Sequence, residues 1–423
     1  MADRASLDYL YSLQTFGIKL GLDNIRTLLE RLGHPEQDYP CVLVAGTNGK
    51  GSTSATLATI TTVSGLRTGL YTSPHLHCFS ERVQIDGVAI TLDAVDQLVD
   101  ELRIVGQGLP LTFFEFTTAL ALEHFRRQQV ALAVLEVGMG GRLDATNAVF
   151  PCLSVITPIA RDHEAWLGET LTAIAGEKAG ILRPGVPAVI SRQEPEAETA
   201  LLAAASSIAA PRYQGGVDFS LKAGVAGTCA YRGLDTTLDN LHPALSGRHQ
   251  LVNMETALAA AELLRRQGLP LPDSALSRGV ATVHWPGRLE WRTHCLLLDG
   301  AHNGAGASTL ADYLADAGIK RVHWVVGVKQ GKDLTAILAP VLPFTVAAYC
   351  VAPPIEAAVP PEEIAAAVLE SGVPARVWPT PLAALAAARS ACGEGEIVLV
   401  AGSLFLVAAI PALAGLEESA VVS

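Results

Sequence analysis

The stretch VLVAGTNGKGST, residues 42–53, decides how the rest of the chain is interpreted. Its first four residues, Val42 to Ala45, are apolar and fit a short buried strand. Glycines at positions 46, 49 and 51 let the backbone turn tightly and direct N–H groups towards an anion, and Lys50 supplies a positive charge. Ser54 to Val63 then predicts a helix whose N-terminal end faces the same anion. Together these features predict a phosphate-binding loop.

This loop is a shorter variant of the general pattern G-x-x-x-x-G-K-[ST]. Val44 stands where the first glycine is expected, and Gly51 separates Lys50 from the hydroxyl residues. Ser52 or Thr53 is the candidate hydroxyl ligand for Mg²⁺. The alternative is a glycine-rich turn with a solvated lysine, which the strand before the loop and the helix after it disfavour.

Length, charge and cysteine usage limit the classes of protein. A chain of 423 residues exceeds one ordinary core and predicts two domains, and a net charge of −12 argues against a nucleic-acid surface. Seven cysteines without a C-x-x-C pair predict reduced thiols and a cytoplasmic location, and the charged start MADRASLDYL is not typical of a signal peptide. The uncharged segment 397–416 is interrupted by Gly402 and Pro411, which favours a buried strand and a core helix over a membrane span.

Two charged residues lie in apolar surroundings. Glu136 follows an almost wholly apolar predicted strand, residues 131–135, where burial without a cation is costly and where Mg²⁺ coordination would offset the cost. Lys178 lies among Ala, Gly and Ile, a setting that lowers the pKa of an amine and leaves it free to react with CO₂. The alternatives are a glutamate that reaches solvent and a lysine on an exposed helix face.

The loop GTNGKGS (46–52), with TSPH (72–75), LEVGMGGRLDATN (135–147) and DGAHN (299–303), resembles the Mur ligase superfamily. Within it, the chain looks most like the folylpolyglutamate synthase and dihydrofolate synthase family. The resemblance runs from about Leu20 to Leu406, and six motifs fall in the family's order. It implies an α/β fold, with a P-loop Mur-ligase-type N-terminal ATPase domain and a smaller Rossmann-like C-terminal domain. Pro286-Gly287 has linker character, so the boundary is expected between residues 1–286 and 287–423.

The resemblance also implies the nucleotide and metal sites. The ATP contacts it implies are Gly46, Thr47, Asn48, Gly49, Lys50, Gly51, Ser52, Thr53, Asn253, Arg288, Asp299 and His302. The Mg²⁺ ligands it implies are Ser52, Ser73, Glu136 and His163, for two Mg²⁺ ions in all, and K⁺ is a further candidate ion. Lys50, His163 and a carbamylated Lys178 are the implied catalytic residues.

A pterin pocket is implied at three separate segments. Its residues would be Lys19, Leu20, Gly21, Thr112, Phe113, Phe114, Glu115, Leu143, Asp144 and Ala145. The flat rings of the two phenylalanines suit a pterin or an aminobenzoate group. Relatives that use dihydropteroate can carry an acidic residue at the position of Lys19, which accepts hydrogen bonds from the amino groups of the pterin. A lysine cannot accept a hydrogen bond.

The implied activity is that of an ATP-dependent amide ligase. Its substrates would be dihydropteroate, reduced folates and L-glutamate. The enzyme is expected to be a monomer without nucleic-acid or membrane partners. One alternative is an enzyme that only extends the glutamate tail. A peptidoglycan Mur ligase would usually carry a separate N-terminal nucleotide-sugar domain, for which too few residues precede the loop. A nucleotide-dependent binding module would predict a guanine-reading N-K-x-D segment, which the sequence lacks.

Overall fold

The computed structural model describes residues 4–13, 21–225 and 227–411, which form two compact units. The first unit contains the residues up to Ala160, Glu164–Ala244 and His249–His284. The second contains Arg161–His163, Leu245–Arg248 and the chain from Trp285 onward. Among the described residues, no helix has both the length and the apolar character needed to cross a membrane.

An eight-stranded sheet forms the centre of the first unit. Its strands are β1 Cys41–Ala45, β2 Thr68–Tyr71, β3 Val83–Ile85, β4 Val88–Ala89, β5 Leu132–Glu136, β6 Leu153–Ile156, β7 Ala188–Ile190 and β8 Arg212–Gln214. The order is β4-β3-β2-β5-β1-β6-β7-β8, and all neighbours are parallel except the pairs β2–β3 and β3–β4. The central strands β1 and β5 are buried along their whole length, as is typical of a parallel sheet with both faces covered. Because β1 and β5 are parallel neighbours, the loops that follow them lie at the same edge of the sheet.

Helices of the first unit precede and connect these strands. They are α1 Arg4–Ser12, α2 Asp23–Arg31, α3 Lys50–Val63, α4 Leu92–Val105, α5 Phe113–Arg127, α6 Glu164–Leu167, α7 Leu171–Lys178, α8 Pro195–Ser207, α9 Arg248–Arg266 and α10 Asp273–Thr282. Two of them, α1 and α2, precede the first strand. The helix after the loop begins at Lys50 rather than Ser54, because Gly49 adopts a left-handed conformation (φ +84°) and ends the loop there.

Residues 194–245 contain helix α8 and strand β8, followed by a small antiparallel sheet. After α8 and β8 come β9 Ser220–Ala223, β10 Cys229–Arg232 and β11 Thr237–Leu241. The fully buried Glu262 carboxylate on α9 accepts hydrogen bonds from the Tyr231 hydroxyl and from the N–H groups of residues 234–236. The β10–β11 turn is thus fixed by a distant carboxylate, which local sequence patterns do not reveal.

The second unit is a six-stranded sheet with helices. Its strands are β12 Glu290–Thr293, β13 Leu296–Leu298, β14 Val322–Val326, β15 Thr345–Cys350, β16 Ala375–Val377 and β17 Ile397–Ala401, in the order β12-β13-β17-β14-β15-β16. Its helices are α11 Gly304–Asp316, α12 Leu334–Leu338, α13 Pro361–Glu370, α14 Pro381–Ala391 and α15 Leu404–Ala408.

The two edge strands of this sheet, β12 and β16, were not predicted. Both are partly exposed and lack an apolar run, so periodicity gives no signal for them. The uncharged segment from residue 397 begins with the fully buried β17 and continues into α15. This confirms a strand followed by a helix as far as residue 411, where the described residues end.

Candidate active site

The glycines of the loop after β1 are required by close neighbours. A Cβ atom on Gly46 would lie 1.9 Å from Thr157 Oγ1, and one on Gly49 would lie 2.1 Å from Asn253 Oδ1. Both glycines also have positive φ angles, +148° and +84°. Asn253 therefore lies directly against the loop, where its predicted nucleotide contact would place it. Its amide is held by Gln250 Oε1 at 2.9 Å.

The N–H groups available to an anion come from the helix rather than from the start of the loop. Thr47 and Asn48 both donate their N–H groups to the Pro158 carbonyl, at 3.0 and 3.1 Å. The hydrogen bonds of α3 begin with Thr53 N–H to the Gly49 carbonyl, so the preceding N–H groups of the first turn have no intrahelical acceptor. Lys50 is half-buried, and its Nζ donates to the Thr47 carbonyl at 3.2 Å. The cluster of free donors at Gly49–Ser52, next to Lys50, is suited to phosphate oxygens.

Glu136 and Ser73 come together at the carboxyl ends of adjacent strands. Glu136 is the last residue of β5 and is 5 % exposed, and the Ser73 N–H, just after β2, donates to its Oε2 at 3.2 Å. In the first turn of α3, Ser52 is buried and Thr53 Oγ1 is buried without a hydrogen-bond partner. A carboxylate and hydroxyl oxygens of this kind fit Mg²⁺. Because the described residues contain no cluster of three His, Cys, Asp or Glu side chains able to hold a metal, phosphate and water oxygens would complete such a site.

Lys178, the last residue of α7, lies beneath the loop. It is 4 % exposed, and its Nζ donates to the Gly46 carbonyl at 2.7 Å. The glycine loop after β5 allows this approach, since a Cβ on Gly141 would lie 2.8 Å from the Glu177 carbonyl oxygen. The exposed-lysine alternative is therefore wrong, and Lys178 belongs to the loop region.

The predicted pterin residues of α5 are of two kinds. Phe113 and Phe114 pack against other aromatic rings, and Thr112 and Glu115 fix the backbone at the start of the helix. Phe114 packs 6.0 Å from Tyr71 (ring centroids), and its ring leaves no room for a side chain at Gly138. Phe113 is buried beside Phe79 at 6.3 Å. Thr112 and Glu115 instead form a capping box at the start of α5, where the Glu115 carboxylate accepts from the Thr112 N–H at 2.8 Å.

Asp144 is likewise engaged with its own loop. Its carboxylate accepts from the N–H groups of Met139 and Thr146 and from the Thr146 hydroxyl. Ala145 is buried and Leu143 is 38 % exposed. Gly21 has a φ of +148°, and the predicted contacts Lys19 and Leu20 lie outside the described residues.

Arg82 and His75 join this site, although neither was predicted to be functional. Arg82 is 7 % exposed, its Nε donates to His75 Nδ1 at 2.8 Å, and its guanidinium lies 5.1 Å from the centroid of the Phe113 ring. The sequence shows only an ordinary Glu-Arg pair, 81–82, after a loop. Its burial depends on α5, which follows about 30 residues later and carries Phe113.

Two predicted residues, His302 and His163, lie beside Asp162 within the second unit. Asp162 pairs with Lys332, and the Asp162 Oδ2 atom lies 3.7 Å from His302 Nε2 and 3.3 Å from Asn303 Nδ2. Burial opposes ionisation of Asp162, but Lys332 and the nearby histidines hold its pKa well below the usual range. His163 Nε2 lies 3.8 Å from Asp162 Oδ1.

Arg288 and Asp299 also lie together in the second unit. A Cβ on Gly300 would lie 2.0 Å from Arg288 Nη1. Asp299 is buried and accepts from the N–H groups of Leu289 and Ala301, and burial raises its pKa although Arg288 opposes the shift. The predicted nucleotide contacts of the C-terminal part, Arg288, Asp299 and His302, are therefore neighbours.

Acid is expected to destabilise the protein between about pH 6.5 and pH 4. Burial, with nearby positive charges, lowers the pKa of each of His75, His124 and His302 to about 4. In this window the unfolded chain binds protons that the native chain does not, so the free energy of unfolding falls as the pH falls. Urea unfolding at pH 7.5, 6 and 5 measures the slope of the free energy of unfolding against pH. His124→Gln, which removes one such group, should give a shallower slope, and an unchanged slope would contradict the lowered pKa of His124.

Comparison with known proteins places the chain in a family. The Mur ligase glutamate ligase domain matches residues 287–404. The folylpolyglutamate synthase of Lacticaseibacillus casei is 37% identical over 327 residues, which cover 74% of this chain and 76% of that protein. The dihydrofolate synthase/folylpolyglutamate synthase of Bacillus subtilis is 36% identical over 318 residues, covering 72% and 74%.

Solved structures of similar proteins agree over nearly the whole chain. Mycobacterium tuberculosis folylpolyglutamate synthase complexed with ADP has a TM-score of 0.89 and 32% identity, covering 96% of this chain and 97% of that one. Escherichia coli FolC in complex with DHPP and ADP has a TM-score of 0.87 and 32% identity, covering 95% and 96%. The bifunctional enzyme of Yersinia pestis, complexed with AMPPNP and Mn ion, has a TM-score of 0.87 and 33% identity, covering 98% of both chains. With this fold and these relatives, the chain belongs to the folylpolyglutamate synthase and dihydrofolate synthase family of Mur ligases.

Proposed function

We propose that this protein is an ATP-dependent, ADP-forming ligase that joins L-glutamate to dihydropteroate and to the glutamate tail of reduced folates. The observation that carries the proposal is the convergence of Lys178 and Asn253 on the glycine loop after β1, beside the Glu136–Ser73 pair. Relatives with both activities and with the tail-extending activity are similar to the chain over about three quarters of its length.

The reaction needs two steps at one carboxyl carbon. The substrate carboxylate oxygen attacks the γ-phosphorus of ATP in line, which forms an acyl phosphate and releases ADP. The glutamate amine then attacks the acyl carbon, the C–N bond forms, and inorganic phosphate leaves while the amine loses a proton. Such phosphoryl transfer depends mainly on positioning and on neutralisation of charge. The first-turn N–H groups of α3 and Lys50 are placed to provide both.

The ligands and surroundings follow from the same residues. ATP and a divalent metal are required. We assign Ser52, Ser73, Glu136 and His163 as Mg²⁺ ligands and propose two Mg²⁺ ions. K⁺ is a further candidate ion. The metal supplies charge neutralisation on the phosphate oxygens. Arg288, Asp299 and His302 are further proposed nucleotide-binding residues, and the proposed domain bounds are residues 1–286 and 287–423. We propose a monomer in the cytoplasm, where the seven free cysteines would stay reduced.

Release of ADP by the purified protein tests this function. With Mg²⁺, ATP and L-glutamate, ADP is expected only when dihydropteroate or a reduced folate is also present. Turnover with tetrahydrofolate but none with dihydropteroate would leave a tail-extending enzyme alone. ATP hydrolysis that ignores both pterin substrates would reject the ligase assignment.

Glu136→Gln is expected to raise the Mg²⁺ concentration required for half-maximal rate. The amide retains the shape and the acceptor for Ser73 N–H but loses the negative charge that Mg²⁺ prefers. Titration of the rate with Mg²⁺ measures the change. Glu177→Gln is the control, because Glu177 lies near the same loop but is 35% exposed and paired with Arg142. A wild-type metal dependence in Glu136→Gln would make Glu136 a structural residue.

A further inference from the structure

Arg82 is a buried cation that forms no ion pair with a carboxylate of the described residues. Its side chain is largely buried and contacts Phe113 and His75, both of which pack against Phe79. In the part of the chain that the structure describes, its one side-chain hydrogen bond goes from Nε to His75 Nδ1, and no carboxylate lies within ion-pair distance. Burial lowers the pKa of the guanidinium, but an arginine remains charged in proteins.

The neighbouring carboxylates favour the charged arginine but form no ion pair with it in the described part of the chain. His75, whose Nδ1 accepts a hydrogen bond from Arg82, carries no negative charge that could offset that of the guanidinium. The Glu81 carboxylate accepts from the N–H groups of Leu76, His77 and Cys78. Glu136 is near enough to favour the charged arginine but is bonded to the Ser73 N–H. Burial of an unpaired charge costs several kcal/mol in general, so the arrangement is suited to an anionic ligand.

The two Nη atoms point to the kind of ligand. Nε is occupied by His75, whereas neither Nη atom has a protein acceptor among the described residues. A guanidinium with a free edge binds a carboxylate through paired hydrogen bonds. The stacked Phe113 ring fixes the plane of that edge.

The position of Arg82 selects one carboxylate. The Thr72 N–H donates to the Arg82 carbonyl at 3.0 Å, which ties Arg82 to the turn that carries Ser73 and, through it, to Glu136. On the other side lies Phe113, which belongs to the candidate ring pocket. A pteroyl substrate whose ring lies by the phenylalanines would bring its reacting carboxylate between that pocket and the metal residues.

We propose that Arg82, held by His75 and Phe113, binds the carboxylate of the pteroyl substrate that becomes phosphorylated. This assignment rests on the proposed ligase function and adds the group that recognises the acid. It makes Arg82 a substrate-binding residue whose contact is present before the phosphoryl transfer. The same contact would apply to dihydropteroate and to a reduced folate, because each presents one reacting carboxylate.

A comparison of an acid with its amide tests the contact directly. Inhibition or binding constants are measured for dihydropteroate and for its carboxamide, with wild-type protein and with Arg82→Met. Wild type is expected to prefer the acid by about 10-fold or more, and Arg82→Met is expected to lose that preference. In turnover, Arg82→Met should lower kcat/KM by about 100-fold with both dihydropteroate and tetrahydrofolate.

Two controls separate this role from a structural one. Arg103→Met removes another arginine that covers an aromatic ring, at 4.5 Å from the Tyr9 ring centroid, but Arg103 is 48% exposed and should leave kcat/KM unchanged. Without substrate, Arg82→Met should not lower the midpoint of thermal unfolding, since it removes a charge that forms no ion pair with a carboxylate of the described residues.

Three results would overturn the assignment. The first is an unchanged preference of Arg82→Met for the acid over the carboxamide. The second is a loss of kcat/KM confined to tetrahydrofolate, which would indicate a contact with a tail carboxylate. The third is a marked fall in the midpoint of thermal unfolding that accounts for the lost activity. Wild-type protein that turns over neither substrate would instead reject the proposed function, so the two failures are distinguishable.

Discussion

Lys50→Ala is expected to lower kcat/KM for ATP-dependent glutamate addition by about 10³-fold, in the range measured when a cation on a transferring phosphoryl group is removed. The side chain lies at the start of α3, where the first-turn N–H groups are free of intrahelical bonds. Those N–H groups remain in the variant, but they carry only partial charges. The full positive charge is lost where the γ-phosphate becomes most negative.

The fold of Lys50→Ala should be unaffected. The ammonium group is half-buried, and its one described hydrogen bond, to the Thr47 carbonyl, is long at 3.2 Å. Circular dichroism and thermal unfolding should therefore match the wild type, and Lys50→Arg should recover part of the rate. Turnover within tenfold of wild type would show that the loop does not bind the transferring phosphate.

Lys178→Ala is expected to reduce turnover by about 10³-fold, and small carboxylic acids such as acetate should restore part of it. The neutral Lys178 amine would attack CO₂, form an N–C bond and release a proton, which leaves a carbamate. The carbamate keeps one N–H for the Gly46 carbonyl, now 2.7 Å from Nζ, and adds two anionic oxygens for a second Mg²⁺. An acid that enters the vacated space supplies similar oxygens.

The carbamate itself has a spectroscopic signature. Protein equilibrated with ¹³C-bicarbonate above neutral pH should show a carbamate carbon resonance that is absent in Lys178→Ala and present in the control Lys222→Ala, which removes an exposed lysine of β9. Absence of the resonance from wild type, or activity of Lys178→Ala without added acid, would contradict the carbamate. Loss of activity that added carboxylic acids do not restore would indicate that Lys178 only stabilises the loop, through its hydrogen bond to the Gly46 carbonyl.

Much of the site was predictable because its residues lie next to apolar strands along the chain. Gly46 and Lys50 follow β1, Ser73 follows β2, and Glu136 ends β5. Each strand has a local apolar pattern, and parallel strands bring their carboxyl ends to one edge of a sheet. The parallel pairing of β1, β2 and β5 realises this rule, so Ser73 and Glu136 meet although they are far apart in sequence.

The use of individual polar groups was not predictable in the same way. Thr47 and Asn48 were expected to offer N–H groups to a phosphate, but both donate to the Pro158 carbonyl. Glu115 was a candidate pocket residue, but it caps its own helix. A carboxylate or an N–H group has the same sequence signature whether it binds a ligand or the backbone.

The sequence by itself determined the strand-loop-helix element at residues 41–63, the position of Glu136 at a strand end and the family, because these depend on local apolar patterns and on motifs with fixed spacing. Only the tertiary structure decided which charges are buried and what they face. Arg82 is enclosed by Phe113 from a later helix, Lys178 reaches the Gly46 carbonyl, and Glu262 fixes a turn of the small antiparallel sheet. The physical reason is that the energy of a charge is set by its desolvation and its partners in space, and those partners come from segments distant in sequence.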